Sequence, residues 1–297
     1  MGAPDCPRRQ GLTRALAGTH SILLLGNAPD FEALIDGLRS HGLPCSPTRA
    51  QDLLEAAELT RRMHFDLMIC DYRESAHGDL ETLHALRSLQ PGARVLLVAE
   101  ERSPQLVIGS IRGCAHALFS RPFESSAARD IIYQALTAAE EDFGIELISA
   151  LPEFLSLRMR CRYPTADRVV QFMYELREDV PKYIDSIGAF REMLLNAVEH
   201  GGRLDSSLWV RVSRVISKDT LIYHIIDPGP GFERANLRHA AIANPPDSPV
   251  EHIRYREEKG LRAGGFGMLV AQQLVDQVIY NESGNEVVLI QRLQSGQ

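Results

Sequence analysis

Short apolar runs alternate with amphipathic segments through the first half of the chain. Four runs have the length and character of buried strands: Ile22–Leu25, Asp66–Cys70, Arg94–Val98 and Ala117–Phe119. Segments with helical periodicity lie around them: Phe31–Ser40, Ala50–Met63, Leu80–Leu89, Pro104–Gly113 and Ser125–Ala138. Strands that alternate with helices at this spacing predict a parallel sheet covered on both faces.

The rhythm changes after an acidic stretch that begins at Glu140. Beyond it the pattern predicts strands Phe154–Arg162, Leu208–Ile216, Leu221–Ile226 and Glu286–Arg292, and helices Ala166–Asp179, Ile184–His200 and Gly267–Val278. The segment Glu233–Arg262 has no steady period and predicts a long loop, which in compact domains is often functional. We therefore predict a leader over 1–18, a first domain over 19–140, a linker over 141–152 and a second domain over 153–297.

Composition excludes several classes of protein. The net charge of −7 over 297 residues argues against non-specific nucleic-acid binding. The five cysteines are scattered without a C-x-x-C pair, which is typical of free thiols in a reducing compartment. Because no stretch approaches the ~18 apolar residues of a membrane span, we expect a cytoplasmic protein without membrane or nucleic-acid partners.

One predicted helix separates apolar from polar side chains in a way that suggests chemistry. Glu192 and Asn196, with Glu199 or His200 following, fall on one face of Ile184–His200. The opposite face carries apolar residues: Ile187, Phe190, Leu194 and Val198. This helix would pack on one side and present carboxylate and amide groups on the other. Taken alone, the pattern is also that of an ordinary amphipathic helix with a solvated acidic face.

Two glycine-rich segments follow. Asp227-Pro228-Gly229-Pro230-Gly231 comes directly after a β-rich run, and its glycines allow close approach of the backbone to a ligand. Gly264-Gly265-Phe266-Gly267 opens a predicted helix, where free N–H groups and the helix dipole favour phosphates. Singly, the first is also a good simple turn, and the second a flexible loop before a helix.

In this order, the segments Glu192–Gly201, Asp227–Gly231 and Gly264–Gly267 resemble the N, G1 and G2 boxes of the GHKL ATP-binding superfamily. Phe190–Gly201 and Leu261–Met268 further resemble the anti-sigma-factor serine kinases, and the likeness extends over about residues 150–293. The resemblance implies a C-terminal GHKL (Bergerat) α/β sandwich with a mixed sheet, holding ATP and Mg²⁺.

The same resemblance implies a role for each residue of the boxes. Asn196 would coordinate Mg²⁺ between the phosphates, and Glu192 would polarise the attacking nucleophile. Asp227 would accept a hydrogen bond from the adenine amino group. The remaining residues would contact the nucleotide: Gly229 and Gly231 at the base, Gly264, Gly265, Phe266 and Gly267 at the phosphates, and Arg262 at the terminal phosphate.

The first domain resembles a response-regulator receiver, which implies a flavodoxin-like parallel sheet. The likeness rests on Asp66–Asp71, Val95–Glu100 and Arg121-Pro122-Phe123. Asp71 stands at the place of the phosphoacceptor aspartate. Three other features of receivers are replaced in this sequence. The segment Gly26-Asn27-Ala28 stands in place of the metal-binding acids, Val98 in place of the hydroxyl residue, and Arg121 in place of the lysine.

These replacements leave too few oxygens to hold Mg²⁺ during acyl-phosphate chemistry. Asp71 is then either a strand-end carboxylate without a role or a metal-poor phosphoacceptor. We expect a pseudo-receiver that serves protein contact or dimerisation, in which Arg121 forms a standing salt bridge with Asp71.

The two resemblances together imply an ATP-dependent protein serine/threonine kinase modulated by a receiver-like domain, and we expect it in the cytoplasm. The resemblance implies a STAS-type anti-anti-sigma substrate, contact with a sigma factor, and a homodimer. Two alternatives remain: a nucleotide-binding module that sequesters a regulator without phosphotransfer, and an atypical histidine kinase with a separate phosphoacceptor domain. Glu192 favours a kinase, because a pure binder has no need of that carboxylate.

Overall fold

The computed structural model describes residues 18–72, 79–137, 143–177, 181–232, 251–258 and 266–293. The chain divides into two compact units, Met1–Phe143 and Gly144–Gln297. Within the described ranges, no helix is both long enough and apolar enough to cross a bilayer.

The first unit is built around a five-stranded parallel sheet. Its strands are β1 His20–Leu25, β2 Cys45–Ala50, β3 Leu67–Tyr72, β4 Arg94–Ala99 and β5 Ala117–Ser120, in the order β2-β1-β3-β4-β5. The helices are α1 Asp30–Ser40, α2 Leu53–Arg62, α3 Asp79–Leu89, α4 Pro104–Arg112 and α5 Ser125–Thr137. This strand order is that of flavodoxin-like folds. The predicted architecture of the first unit is confirmed.

The core of this unit follows from the continuous apolar character of its central strands, as expected of strands buried on both faces. Ile22, Leu24, Ile69 and Leu96 are buried, and they pack with apolar residues of α1 and α5. Helices α1 and α5 pack against each other, and α2, α3 and α4 pack in succession.

Strand β2 was missed by the sequence pattern. Its residues Cys-Ser-Pro-Thr-Arg-Ala form no apolar run, because β2 lies at the edge of the sheet and only Cys45 and Ala50 are buried. The predicted helix Ala50–Met63 consequently begins late, at Leu53. Asp52 caps it by accepting a hydrogen bond of 2.9 Å from the Glu55 backbone N–H.

The second unit contains a six-stranded sheet. Its strands are β6 Ile145–Ala150, β7 Phe154–Arg160, β8 Trp209–Ser217, β9 Thr220–Ile226, β10 Gln277–Tyr280 and β11 Glu286–Arg292, in the order β10-β11-β9-β8-β7-β6. The helices are α6 Tyr163–Glu175, α7 Pro181–Asn196, α8 Glu251–Glu258 and α9 Gly267–Leu274, and α7 continues into a π-helical turn, Ala197–Gly201.

Helices cover one face of this sheet. Alternate strand residues such as Val212, Tyr223, Ile225 and Leu289 are buried, as the period of two predicts. Helix α7 lies against β9 and β11, α6 against β7, and α9 against α7. The predicted α/β sandwich is confirmed. A mixed sheet is wrong for the described strands, because every pairing is antiparallel, with tight connections joining β6 to β7, β8 to β9 and β10 to β11.

Three local predictions in the second unit need correction. The predicted linker 141–152 contains strand β6, whose pattern escaped notice because an edge strand buries only Ile145 and Ala150. The predicted loop Glu233–Arg262 contains helix α8 in its described part. The predicted helix Gly267–Val278 ends at Leu274, because Val275 is extended and the chain then pairs with β11 as β10.

Candidate functional site

Helix α7 brings an acid and an amide to the same side of the second unit. Phe190 and Leu194 are fully buried and fix the inner face of the helix. Glu192 and Asn196, four residues apart, are half-buried and line a cavity of about 720 Å³. The helix then widens into the π-helical turn, a feature often found at functional sites.

The cavity gathers residues from parts of the chain that are far apart in sequence. Its walls come from α7, the π-helical turn, the end of β9, the start of α9 and the β10–β11 turn. Of the residues predicted for the site, those that line it are Glu192, Asn196, Asp227, Gly231, Phe266 and Gly267. Three segments separated by tens of residues therefore meet around one space large enough for a nucleotide.

Asp227 stands at the end of β9, where its backbone and its carboxyl group are both held. Its N–H donates to the Asn285 carbonyl at 3.0 Å, and its Oδ1 accepts from the Gly229 N–H at 2.8 Å. Burial raises the pKa of Asp227, and the Gly229 hydrogen bond opposes that rise. The cavity thus contains a carboxylate that is partly removed from water and still unneutralised by a cation in the described residues.

The turn after Asp227 is fastened to the β10–β11 turn. Gly231 has φ +81°, and a Cβ there would lie 2.6 Å from the Ser283 carbonyl carbon. A side chain at this position would therefore be both strained and obstructed. Phe232 N–H donates to the Ser283 carbonyl at 2.9 Å, and Asn281 Oδ1 accepts from the Gly284 N–H at 2.8 Å.

The start of α9 lies directly against the acid and amide of α7. A Cβ at Gly267 would lie 2.9 Å from Glu192 Oε2 and 3.5 Å from Asn196 Nδ2. The absence of a side chain at Gly267 therefore allows this helix N-terminus to approach the two polar groups. Phe266, beside it, is 42% exposed at the edge of the cavity. Arg262, Gly264 and Gly265 lie outside the described residues.

Several lining residues were not found from the sequence. Tyr163 donates a hydrogen bond of 2.9 Å to Glu199 Oε2, and this bond orients the Glu199 side chain at the cavity wall. Tyr280 packs edge-on against Phe232 with ring centroids 5.4 Å apart, and its hydroxyl lies 3.1 Å from Met193 Sδ. The place of Tyr280 in the cavity depends on strand β10, which the sequence pattern did not predict. No local sequence pattern around Tyr163 indicates a site residue. His200, also in the lining, is exposed.

In the first unit, Asp71 is the penultimate residue of β3, and its side chain is only 2% exposed. Arg121 donates to it at 3.0 Å, which confirms the expected salt bridge. The same guanidinium contacts Asp30 at 2.6 Å and Glu100 at 3.2 Å. Burial lowers the pKa of Arg121, but hydrogen bonds to Asp30 and Asp71 outweigh this and raise it. The sequence pattern did not indicate Asp30, because it lies beyond the Gly26–Ala28 segment that replaces the metal-binding acids of receivers.

Comparison with known proteins supports the resemblance of the second unit to ATP-binding domains of the GHKL type. Residues 182–291 match the family described as histidine kinase-like ATPase domain. The serine-protein kinase RsbW of Oceanobacillus iheyensis is 26% identical over 145 residues, a match that covers 49% of this chain and 82% of that protein. The predicted resemblance of the second unit to this kind of ATPase is confirmed.

Solved structures similar to the first unit include response regulators. One from Thermotoga maritima is 18% identical and covers 41% of this chain and 100% of its own, with a TM-score of 0.36. A CheY-like receiver domain protein from Methanospirillum hungatei is also 18% identical and covers 40% of this chain and 94% of its own, with a TM-score of 0.35. The fold of the first unit is established by its own strand order.

Proposed function

We propose that this protein binds Mg²⁺-ATP in the second unit and transfers the γ-phosphoryl group to a serine or threonine of a STAS-type anti-anti-sigma protein. The observation that carries the proposal is the convergence of Glu192, Asn196, Asp227 and Gly267 on one cavity. The match to histidine kinase-like ATPase domains supports nucleotide binding, and the likeness to RsbW supports protein-serine phosphorylation.

The base would be held at Asp227. An ionised carboxylate only accepts hydrogen bonds, so it suits the amino group of adenine. The Gly229 N–H engages Oδ1 at 2.8 Å, which fixes the carboxylate before the base arrives. Phe232 and Tyr280, in contact with each other, provide apolar surface in the same cavity.

The phosphates would lie between Asn196 and the N-terminus of α9. Mg²⁺ prefers oxygen ligands and is commonly bound by one or two protein groups together with substrate phosphates, so the Asn196 amide oxygen fits such a site. When bound, the ion would neutralise charge that develops on the phosphoryl group. The N–H groups that open α9 would add donors to the phosphates, and Gly267 allows them to approach. We place Arg262 at the terminal phosphate, and Gly264 and Gly265 in the phosphate loop with it.

Glu192 would act on the nucleophile. Its Oε2 lies within reach of the α9 N-terminus, where a Gly267 Cβ would be only 2.9 Å away. The carboxylate is therefore adjacent to the proposed phosphate position, and can accept the proton of an incoming hydroxyl group. Its side chain is 35% exposed, which leaves it accessible to a protein substrate.

Two further readings compete with a serine kinase. A pure nucleotide-binding module that sequesters a sigma factor or another regulator would bind ATP in the same cavity, and Glu192 at the phosphate end favours catalysis over this reading. A histidine kinase with a separate phosphoacceptor domain would use the same ATP site. We infer that the first unit supplies protein contact or homodimerisation in the cytoplasm, with Asp71 neutralised by Arg121 instead of phosphorylated.

The test is phosphotransfer from γ-labelled ATP to a purified STAS-domain protein, with Glu192→Gln as the catalytic control. Label on a serine or threonine of the partner, lost in the variant while ATP still binds, supports the proposal. ATP binding without any label on the partner supports the sequestration module. Acid-labile label on a histidine supports the histidine kinase.

A further inference from the structure

The π-helical turn Ala197–Gly201 ends in direct contact with Asp227. A Cβ at Gly201 would lie 2.5 Å from the Asp227 Cβ and would overlap the carboxyl group itself. Cβ atoms in proteins essentially never lie within 3.0 Å of a non-bonded heavy atom. Any residue other than glycine at 201 would therefore force the Asp227 side chain to move.

Gly229 confines the same carboxyl group from another side. Its N–H donates to Asp227 Oδ1 at 2.8 Å, and its backbone packs on the Gly201 carbonyl, where a Gly229 Cβ would be 2.8 Å away. Within the described residues, Oδ2 of Asp227 accepts no hydrogen bond. One carboxylate oxygen is thus fixed by the protein, and the other is available in a cavity that Asp227 lines.

We propose that Gly201 is a positioning residue that sets the orientation of Asp227 and, through it, the preference for a purine with an amino group at C6. The inference rests on the proposed function, in which Asp227 contacts the base. Adenine offers an N–H donor to the carboxylate, whereas hypoxanthine offers a carbonyl oxygen that the carboxylate repels. Displacement of Asp227 should erase this discrimination without removing the phosphate contacts.

The neighbouring glycine provides a matched control. Gly202 is buried and packs on Cys161, where a Gly202 Cβ would lie 2.7 Å from the Cys161 Cβ and would overlap its sulfur atom. Gly201→Ala and Gly202→Ala therefore add the same methyl group at adjacent positions, the last residue of the π-helical turn and the residue that caps it, but only the first meets Asp227. A loss that reflects general disruption of the turn would appear in both variants.

The experiment is calorimetric titration of the full-length protein with Mg²⁺-ATP and with Mg²⁺-ITP, which carries hypoxanthine in place of adenine. The ratio of the two affinities is measured for the wild type, Gly201→Ala, Gly202→Ala and Asp227→Asn. We expect ATP to bind at least about tenfold more tightly than ITP in the wild type, since a hydrogen bond to a charged group is exchanged for repulsion. The ratio should fall to near one in Gly201→Ala and stay within about threefold of the wild type in Gly202→Ala.

Asp227→Asn separates failure of the inference from failure of the proposed site. A ratio that collapses in Asp227→Asn but persists in Gly201→Ala overturns the positioning role alone, as does an equal collapse in Gly202→Ala. If Asp227→Asn has the same ratio of ATP to ITP affinity as the wild type, the assignment of Asp227 to the adenine site is wrong, and the inference about Gly201 is wrong with it. If Gly201→Ala does not fold, Gly229→Ala displaces the same carboxylate from its other side and is tested under the same criteria.

Discussion

The guanidinium of Arg121 lies 3.0 Å from the carboxylate of Asp71, at the end of the parallel sheet in the first unit. The Asp71 side chain is 2% exposed and that of Arg121 is 13% exposed, so this ion pair is largely shielded from water. Asp30, which lies in the first turn of α1, contacts the same guanidinium at 2.6 Å. One cation thus ties the ends of β3 and β5 to the start of α1.

We predict that Asp71 takes no phosphoryl group from acetyl phosphate in the presence of Mg²⁺. The guanidinium of Arg121 already neutralises Asp71 and contacts the neighbouring carboxylate of Asp30, so a cation already lies where a metal ion would have to bind. Among the described residues, no cluster of acidic, histidine or cysteine side chains could hold a metal ion. Intact-mass spectrometry should show an unchanged protein. A stoichiometric gain of one phosphoryl group that disappears in Asp71→Asn would contradict this prediction.

Arg121→Met should destabilise the first unit by about 3 kcal/mol, because it removes the cation that faces the buried Asp71 carboxylate. Asp71→Asn removes the negative charge, so the double variant Arg121→Met with Asp71→Asn should recover a large part of the loss. Denaturant unfolding followed by circular dichroism measures both. Equal instability of the single and double variants would show that Arg121 acts by packing and not by charge.

Glu192→Gln should leave ATP affinity nearly unchanged and lower the rate of phosphotransfer by about 10²–10⁴-fold, the usual contribution of a general base. Glutamine keeps the size of the side chain and loses its ability to accept a proton. Single-turnover phosphorylation of the STAS partner gives the rate, and calorimetry gives the affinity. Glu146→Gln, at an exposed position of β6, is the control and should change neither. An unaltered rate in Glu192→Gln would assign Glu192 to a solvated helix face.

ATP affinity should fall at acidic pH, as Asp227 takes up a proton. Burial raises the pKa of this carboxyl above its usual 3.8, so the loss begins at a higher pH than for a solvated aspartate. The stability of the unliganded fold should change in the opposite sense. The raised pKa of Asp227 stabilises the fold fully at pH values below the pKa of this group in the unfolded chain. That stabilisation is lost as the pH rises through its pKa in the folded protein.

The measurement for this prediction is ATP affinity from pH 7 downward, with Asp227→Asn as the comparison. The pH-dependent component due to Asp227 is the difference between the two proteins. Identical slopes in the wild type and in the variant would place the titrating group elsewhere.

How far the sequence predicts the structure depends on how strongly each residue is constrained locally. Central strands such as β3 and β4 contain continuous buried apolar runs, Leu67–Cys70 and Val95–Ala99, because burial on both faces leaves no polar positions within them. Both strands were predicted within one or two residues. Edge strands β2 and β6 bury only two residues each. Their position is determined by pairing with a neighbour, which is a long-range relationship that no local period reveals.

The site shows the same division. Glu192 and Asn196 could be found because four residues along a helix share a face, and Asp227 because a glycine turn follows a strand. The contact of Gly201 with Asp227 joins residues 26 positions apart, so it depends on the packed arrangement of the π-helical turn against β9. Asp30 is a similar case, since only the packed arrangement of the sheet and helix α1 brings it within 2.6 Å of Arg121.

Strand β6 determines where the second unit can be cut from the rest of the chain for separate expression. A fragment that starts at residue 153 lacks Ile145–Ala150, so β7 becomes an exposed edge strand. Its unpaired backbone N–H and C=O groups could then pair with a strand of another chain. Such a fragment would be prone to fibrous or amorphous self-association even if its nucleotide cavity were intact. A fragment that starts at Gly144 keeps strand β6 and coincides with the second compact unit, so it should not expose β7 in this way.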